Sequence, residues 1–233
     1  MIVAGHQPQY MPYIGFFNKI SKADVFVFVD NIQFTRKTWQ QRTLIKSDNK
    51  PMYLTIPVKK HGKFDQLINE VEIIDNGWRK KHWKSICLSY GKTPYFHLYK
   101  DALEEFYNKE WPLLNDFCSA LLRYFIDAIG IKFEKIYTGT ELNIHGEKTD
   151  LLLDICKKTG CNTYLSGEGA LAYVNEEKFK KAGLSHIFNE YTPNPYSQYG
   201  KQFIDGMAII DVMFMNGPKT IDVIKGNTDV YRH

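Results

Sequence analysis

Short apolar runs alternate along the chain with segments in which apolar residues recur at helical spacing. The run at 23–30 is rich in Val and Phe and shows no polar alternation, which is typical of a strand buried on both faces of a parallel sheet. Because strands and helices alternate at both ends of the chain, the pattern predicts an α/β fold with mostly parallel pairing. Further strands are predicted at residues 2–4, 42–45, 52–58, 132–137, 163–165 and 187–188.

Helical spacing dominates the middle of the chain, where Gly91 and Gly130 mark the ends of two predicted helices. We expect a single α/β domain over residues 1–233, with helices flanking the sheet and a helical layer or insert at about 76–129. The last predicted helix takes Asp205 as its cap. The predicted helices lie at 16–20, 78–90, 98–107, 111–129, 148–158, 172–182 and 209–214.

Composition narrows the class of protein. A hydrophobic fraction of 44% and a charged fraction of 24% are ordinary for a soluble globular domain. The net charge of +4 is too small to predict a nucleic-acid partner, so no DNA binding is expected. No apolar run reaches the roughly 18 residues of a membrane span and no signal peptide is recognisable, so we expect a cytoplasmic protein without a membrane span.

Cysteine and histidine spacing argues against two kinds of site. The four cysteines form no C-x-x-C pair and three of them fall on apolar helix faces, so we expect free thiols without a catalytic role. The seven histidines show no H-x₃-H spacing, so no metal site is predicted.

The strongly apolar helix at 209–214 is expected in the core, with a homodimer interface as the alternative.

Three loops that follow predicted strands are rich in hydrogen-bonding side chains. In a parallel sheet the carboxyl ends of the strands share one edge, where ligands of α/β proteins bind, so we expect the loops to converge. Their candidate residues are His6, Gln7 and Tyr10 in the first loop, Asp30, Gln33, Arg36 and Arg42 in the second, and Ser166, Gly167, Glu168, Gly169 and Tyr173 in the third.

The residue types in the first two loops suggest roles. His6 is the natural general acid or base, because the ordinary pKa of histidine lies near neutrality, and Asp30 is the candidate to orient it or to take a proton. Arg36 and Arg42 offer planar forks for a phosphate or a carboxylate. Structural alternatives stay open for each: His6 as a turn cap, Asp30 as a strand end, and the two arginines as solvated side chains.

The third loop places G-x-G between a predicted strand and a predicted helix, a geometry in which backbone amides meet an anion. It lacks the third glycine of the dinucleotide fingerprint and the Lys-Ser/Thr of a P-loop. Glu168 would repel a phosphate and is better suited to a sugar hydroxyl or an amine. Ser166 is not in a G-x-S-x-G elbow, so this motif does not predict it as a nucleophile.

Several short motifs point to one family. They are H-Q-P-Q-Y-M-P-Y-I-G at 6–15, Y-L-S-G-E-G-A at 164–170, Y-S-Q at 196–198, I-I-D at 209–211 and N-G at 216–217. Together they resemble the WbqC-like family over most of the chain. That family occurs in bacterial gene clusters for O-antigen (lipopolysaccharide) and other surface polysaccharides. The resemblance therefore implies a role in making or decorating sugars.

A second resemblance covers about the first forty residues. Gly15 before a helix, followed by the run 23–34, is similar to the start of pantothenate synthetases and related nucleotidylyltransferases. Those enzymes activate a carboxylate with ATP on a Rossmann-like sheet and pass it to an amine. The two histidines of their H-x-G-H signature fall here on Tyr13 and Phe16. The resemblance therefore implies a Rossmann-like sheet without the usual ATP-phosphate contacts.

The two resemblances together imply a transferase that attaches an acyl or aminoacyl group to the amine of a nucleotide-linked amino sugar. His6 would deprotonate the amine, Arg36 or Arg42 would hold the pyrophosphate, and Glu168 with Tyr173 would bind sugar hydroxyls. The cofactor is left open between ATP and an activated acyl or aminoacyl donor. The alternatives are an epimerase or glycosyltransferase that uses His6 and Asp30, and a non-catalytic scaffold that binds a nucleotide sugar.

Overall fold

Five parallel strands form the main sheet in the order β5-β2-β1-β6-β7. The computed structural model describes residues 1–59, 62, 65–192 and 195–226; His61 and His233, two of the histidines considered for metal binding, lie outside them. The predicted α/β fold with a mostly parallel, Rossmann-like sheet is confirmed. The strands are β1 Ile2–His6, β2 Val25–Phe28, β5 Lys135–Thr138, β6 Thr163–Ser166 and β7 Ser185–Phe188.

The unbroken apolar run of β2 is explained by a core on each face of the sheet. Phe26 and Phe28 point to one face and join the larger apolar cluster. Val25 and Val27 point to the other face and pack in a smaller cluster. Alternating residues of a strand face opposite sides, so only a fully apolar strand satisfies both cores.

Helices cover both faces of the sheet. α2, α3 and α4 fall in the region where the sequence predicts a helical layer, and Gly91 and Gly130 follow α2 and α4 as expected. The assignment of this region as an insert within a single domain stays a prediction. The helices are α1 Ile14–Ile20, α2 Trp78–Tyr90, α3 Phe96–Asn108, α4 Leu114–Ile129, α5 Gly139–Leu142, α6 Lys148–Thr159, α7 Glu176–Lys181, α8 Ile209–Asn216 and α9 Thr220–Lys225.

The remaining two strands form a separate antiparallel hairpin, β3 Arg42–Ser47 and β4 Lys50–Thr55. Asp48 and Asn49 turn the chain with φ values of 48° and 59°. Positive φ at both central residues is the requirement of a tight hairpin turn, and Asp and Asn tolerate it better than most residues. The predicted pair of strands is therefore confirmed.

Several helix boundaries differ from the sequence prediction; α4, for example, begins at Leu114 and not at Trp111. Asp205 does not cap α8: its carboxylate accepts a hydrogen bond from the backbone N–H of Gly206 at 2.7 Å, and the cap position is Ala208. The predicted helix from Ala172 begins only at Glu176, because the side chain of Asn175 accepts from the backbone N–H of Lys178 and starts the helix there.

A buried carboxylate ties α8 to the helical layer. Asp211 has no exposed surface and accepts hydrogen bonds from the hydroxyls of Tyr90, at 3.0 Å, and Tyr196, at 2.9 Å. The Tyr90 hydroxyl also accepts from the backbone N–H of Lys46 in β3, at 2.8 Å. Burial raises the pKa of Asp211 to about 6, although these hydrogen bonds and the charge of Lys46 act in the other direction.

The four cysteines are free, as expected, and Cys118, Cys156 and Cys161 are buried. Burial raises the pKa of Cys118 above its ordinary value, so this thiol has little thiolate character. Across the described part of the chain, no helix has both the length and the apolar character that crossing a membrane requires.

Candidate functional site

A cavity of about 330 Å³ opens at the carboxyl ends of β1 and β6. One wall is apolar and is formed by Leu151, Leu152 and Ile155 of α6, so we name it the apolar cavity. The lining also includes polar residues from the first and third loops of the sequence prediction. These polar residues are His6, Gln7, Ser166 and Tyr173.

A second cavity of about 450 Å³ lies beside the first. Glu168, Asn189 and Asp205 line it, and we name it the polar cavity. His6, Lys19, Gly167 and Gly169 line both cavities and so form the boundary between them. Each volume falls within the roughly 300 to 1,000 Å³ of ordinary small-molecule sites.

Lys19 is the central charged group of this boundary. The residue is 6% exposed and its ammonium donates a hydrogen bond to the Gly5 carbonyl at 3.2 Å. Burial lowers its pKa to about 7, and no carboxylate in the described part of the chain offsets this shift. Among the described residues that line the apolar cavity, Lys19 is the only one with a charged side chain at neutral pH.

A buried lysine without a carboxylate partner is costly, and such groups concentrate where a ligand supplies the missing charge. Lys19 is therefore suited to an anionic group placed between the two cavities. The polar cavity has the opposite character, because Glu168 and Asp205 both contribute carboxylates to it. The site as a whole can receive an anion at its centre and a cation or hydroxyls on one side.

His6 ends β1 and lies at the same boundary. Its Nδ1 is 2.9 Å from the Gln7 carbonyl oxygen, and its ring packs edge-on against Phe16 with centroids 4.8 Å apart. Burial, followed by the charge of Lys19, lowers the pKa of His6 to about 3. The imidazole is therefore neutral at physiological pH. It can donate or accept a hydrogen bond there, but it is a weak base.

Gly5 shows how closely the strands approach at this point. A Cβ atom on Gly5 would lie 2.8 Å from the hydroxyl of Tyr164 and 3.1 Å from a methyl of Val29. Only glycine permits this approach. Tyr164 of β6 thereby reaches Gly5 of β1 and lines the apolar cavity.

The structure brings together most candidates from the first and third loops. His6, Gln7, Ser166, Gly167, Gly169 and Tyr173 line the apolar cavity, and Glu168 lines the polar cavity. Gln7 is held by a hydrogen bond from the side-chain amide of Gln40. The expected helix after the G-x-G segment is only a 3₁₀ turn, Glu168–Ala170, which is too short to provide a helix dipole.

The candidates of the second loop lie elsewhere, as does Tyr10. The Tyr10 hydroxyl is buried between His82, at 3.0 Å, and Tyr107, at 2.8 Å. Asp30 accepts a hydrogen bond from the backbone N–H of Thr140 at 2.8 Å, at the start of α5, rather than from His6. Neither side chain lines the two cavities.

The polar side chains around the hairpin are also directed away. Arg42 stacks over the rings of Trp39 and Tyr53, at 5.7 and 4.7 Å from their centroids. Gln33 donates to the Asp65 carboxylate at 3.4 Å on the surface. Arg36 is exposed and lines neither cavity.

Two charged residues that line the cavities, Lys19 and Asp205, were not among the predicted site residues. In the sequence prediction Lys19 belongs only to the helix at 16–20 and has no role, whereas all seven residues of α1 are buried in the structure. Asp205 was interpreted as a helix cap. For Lys19 the available signal was its position on the helix that directly follows the first strand-end loop, where α/β proteins bind ligands.

The fold defines a Rossmann-like α/β protein with two adjoining cavities at the carboxyl edge of its sheet. The chain matches the WbqC-like protein family over residues 7–223 and belongs to that family. It is also 28% identical over 228 residues to uncharacterized protein Rv1507c of Mycobacterium tuberculosis, with 96% of this chain and 97% of the relative covered. No solved structure matches the chain.

Proposed function

We propose that the protein is a cytoplasmic transferase of surface-polysaccharide biosynthesis, such as O-antigen assembly, that attaches an acyl or aminoacyl group to the amine of a nucleotide-linked amino sugar. The observation that carries this proposal is the position of Lys19 between two cavities of different character. A nucleotide sugar has a diphosphate in its middle, so a buried cation between two chambers suits it.

The distribution of charge supports an amine as acceptor. Glu168 and Asp205 attract the ammonium form of an amino sugar into the polar cavity and can take the proton that the amine must lose before it attacks. His6, with its pKa lowered to about 3, is a weak base. In the proposed mechanism Glu168, rather than His6, is therefore the general base. His6 only forms hydrogen bonds at the boundary between the cavities.

The arginines expected to hold the pyrophosphate do not line either cavity, so Lys19 takes that role in the proposal. The acyl group would occupy the apolar cavity, against Leu151, Leu152 and Ile155. The acyl carbon and the amine then meet at the glycines Gly167 and Gly169, which border both chambers.

The proposal is tested with purified protein, a panel of nucleotide-linked amino sugars and candidate donors: acyl thioesters, aminoacyl-tRNA, and free acids with ATP. We expect one sugar–donor pair to give an amide product by mass spectrometry. Glu168→Gln should lower kcat/KM about 100-fold, the effect of removing a general base. Glu177→Gln is the matched control, because Glu177 lies on the surface of α7.

Two outcomes would contradict the proposal. Conversion of the sugar nucleotide without amide formation would indicate epimerisation or glycosyl transfer instead. Tight binding without turnover of any pair would indicate a nucleotide-sugar-binding scaffold.

The pKa of Lys19 also predicts how binding depends on pH. Because an anion stabilises the ammonium form, bound ligand raises a pKa that lies near 7 in the free protein. The dissociation constant of UDP-glucose, whose diphosphate does not titrate in this range, should therefore rise roughly tenfold from pH 6 to pH 8. Lys19→Arg keeps the positive charge at both pH values. In this variant the dissociation constant, measured by isothermal titration calorimetry, should change little with pH. An equal slope in both proteins would exclude Lys19 as the anion site.

A further inference from the structure

Three side chains beside the apolar cavity form a hydrogen-bonded chain. The Oγ of Ser166 is 2.8 Å from Nε2 of His186, and Nδ1 of His186 is 2.8 Å from the Glu176 carboxylate. A carboxylate oxygen accepts, so Nδ1 carries the proton, and Nε2 of the neutral ring is then an acceptor. The Ser166 hydroxyl therefore donates to His186.

The three residues come from three different elements. Ser166 is the last residue of β6, His186 lies in the neighbouring strand β7, and Glu176 opens α7. The parallel register pairs Tyr164 with His186, which brings the imidazole beside the end of β6. The arrangement does not depend on a G-x-S-x-G elbow, because the histidine and the acid are supplied by the following strand and helix.

The geometry restricts the imidazole to one orientation. The His186 side chain has no exposed surface, and its ring packs between Phe179 and Phe188, with centroids 4.8 and 4.6 Å away. The Glu176 side chain, in contrast, is 50% exposed. Ser166 is 3% exposed to bulk solvent but lines the apolar cavity. Ser166 thus lines a cavity, and its hydroxyl has a fixed acceptor with an acid behind it.

We infer that Ser166 is a nucleophile that accepts an acyl group, with His186 as its base and Glu176 as the residue that orients His186. Nucleophile, base and orienting acid within hydrogen-bond distance are the arrangement that activates a serine for covalent catalysis. This inference deepens the proposed function, and its second half-reaction rests on that function.

In the first half-reaction, Oγ of Ser166 attacks the carbonyl carbon of an ester or thioester donor while its proton passes to Nε2 of His186. The Oγ–C bond forms, the C–O or C–S bond of the donor breaks, and the leaving alcohol or thiol takes the proton from His186. In the second, the neutral amine attacks the acyl carbon. The C–N bond forms, the Oγ–C bond breaks, and an amine proton returns through His186 to Oγ.

Ser166, His186 and Glu176 lie where an acyl donor could bind. The apolar wall formed by Leu151, Leu152 and Ile155 provides a surface for the carbon atoms of an acyl group. Gly167, the residue after Ser166, lies on the boundary with the polar cavity, where the proposed amine is held. An acyl group on Ser166 would therefore face the second chamber.

The test uses the full chain and 4-nitrophenyl acetate, a small activated ester that needs no sugar. Wild type should release 4-nitrophenol and carry one acetyl group, located on Ser166 by peptide mass spectrometry. Ser166→Ala should carry none. His186→Gln should acylate about 100-fold more slowly, as expected for loss of a general base. Ser185→Ala is the matched control, an exposed serine one residue before His186, and should react like wild type.

Absence of acetylation in folded wild type would overturn the inference and leave the hydrogen bonds as a structural link between β6 and β7. Acetylation that persists in Ser166→Ala would overturn it as well. Thermal unfolding of each variant establishes that it is folded, and Ser166→Cys, which keeps a nucleophile, should recover labelling if Ser166→Ala is destabilised.

Failure of the inference and failure of the proposed function give different results. If Ser166 is acylated and no nucleotide-linked amine accepts the group, the nucleophile stands and the proposed acceptor is wrong. If an amino sugar is acylated at an unchanged rate by Ser166→Ala, the transferase stands and the covalent intermediate is wrong.

Discussion

Lys19→Met is expected to stabilise the fold and to abolish binding of nucleotide sugars. The lysine is 6% exposed, and its pKa is lowered to about 7 by burial. Replacement by a methionine of similar length removes the desolvation cost and keeps the packing. At pH 7 the gain in the free energy of unfolding should be on the order of 3 kcal/mol.

The sign of the pH dependence provides an internal check. Between pH 7 and about 10.4, the ordinary pKa of lysine, the unfolded chain binds more protons at this position than the folded chain. Wild-type stability should therefore rise with pH in this window relative to Lys19→Met. The advantage of the methionine variant is largest below pH 7 and disappears at high pH.

Urea unfolding at pH 6.5 and 9.5 measures this difference, with Lys84→Met, on the exposed surface of α2, as the control. The control should lie within about 0.5 kcal/mol of wild type. Calorimetric titration with UDP-glucose measures the loss of binding. A more stable variant with unchanged affinity would mean that Lys19 does not contact the ligand.

Asp211→Ala should be the most destabilising of the variants considered, at about 3 kcal/mol or more. The carboxylate is fully buried and accepts from the hydroxyls of Tyr90 and Tyr196. Alanine would remove the carboxylate that both hydroxyls and the charge of Lys46 interact with. It would also create a cavity. Because Tyr90 also contacts β3, the loss should loosen α2, α8 and the hairpin together.

Asp211→Asn removes the negative charge and keeps a side-chain oxygen that can accept a hydrogen bond. It therefore shows how much of the stability change depends on the charge. The folded-state pKa of Asp211 is about 6 against an ordinary 3.8, so the folded chain binds more protons between these values. The stability of wild type should therefore fall as the pH rises from about 4 to 6, by up to about 3 kcal/mol relative to the asparagine variant.

Thermal or urea unfolding at pH 4.5 and 7.5 tests this second prediction, with Asp127→Asn on α4 as an exposed control. If the difference between wild type and Asp211→Asn is the same at both pH values, the Asp211 carboxyl does not titrate in this range. Equal stability of Asp211→Ala and wild type would contradict the structural role of the carboxylate.

The sheet and the hairpin were predictable because their signals are local. An uninterrupted apolar run requires a core on both faces, as Phe26 and Val27 show, and Asp48-Asn49 favours a tight turn between two strands. The proximity of the first and third loops was also predictable, since parallel strands end at the same edge. His6 and Ser166 do line one cavity.

The direction of individual side chains was not predictable, because distant residues decide it. Tyr10 is drawn into the core by His82 and Tyr107, which lie 72 and 97 residues further along the chain. Lys19 is buried against Gly5 and the third loop, and α1 is held by α9, where the Asn18 side chain donates to the Ile224 carbonyl 206 residues away. The His186 contact depends on the register of two strands separated by a helix.

The anchoring of the opening loop has a consequence for the order in which the protein assembles. The Tyr10 N–H donates to the Trp39 carbonyl, Thr43 donates to the Met11 carbonyl, and the Ile209 N–H donates to the Pro12 carbonyl. This segment is synthesised before all three of its partners, and its last anchor lies nearly two hundred residues further along the chain. A chain that ends before α8 would lack the Ile209 anchor, so we expect the opening loop to take its final position only after α8 has docked.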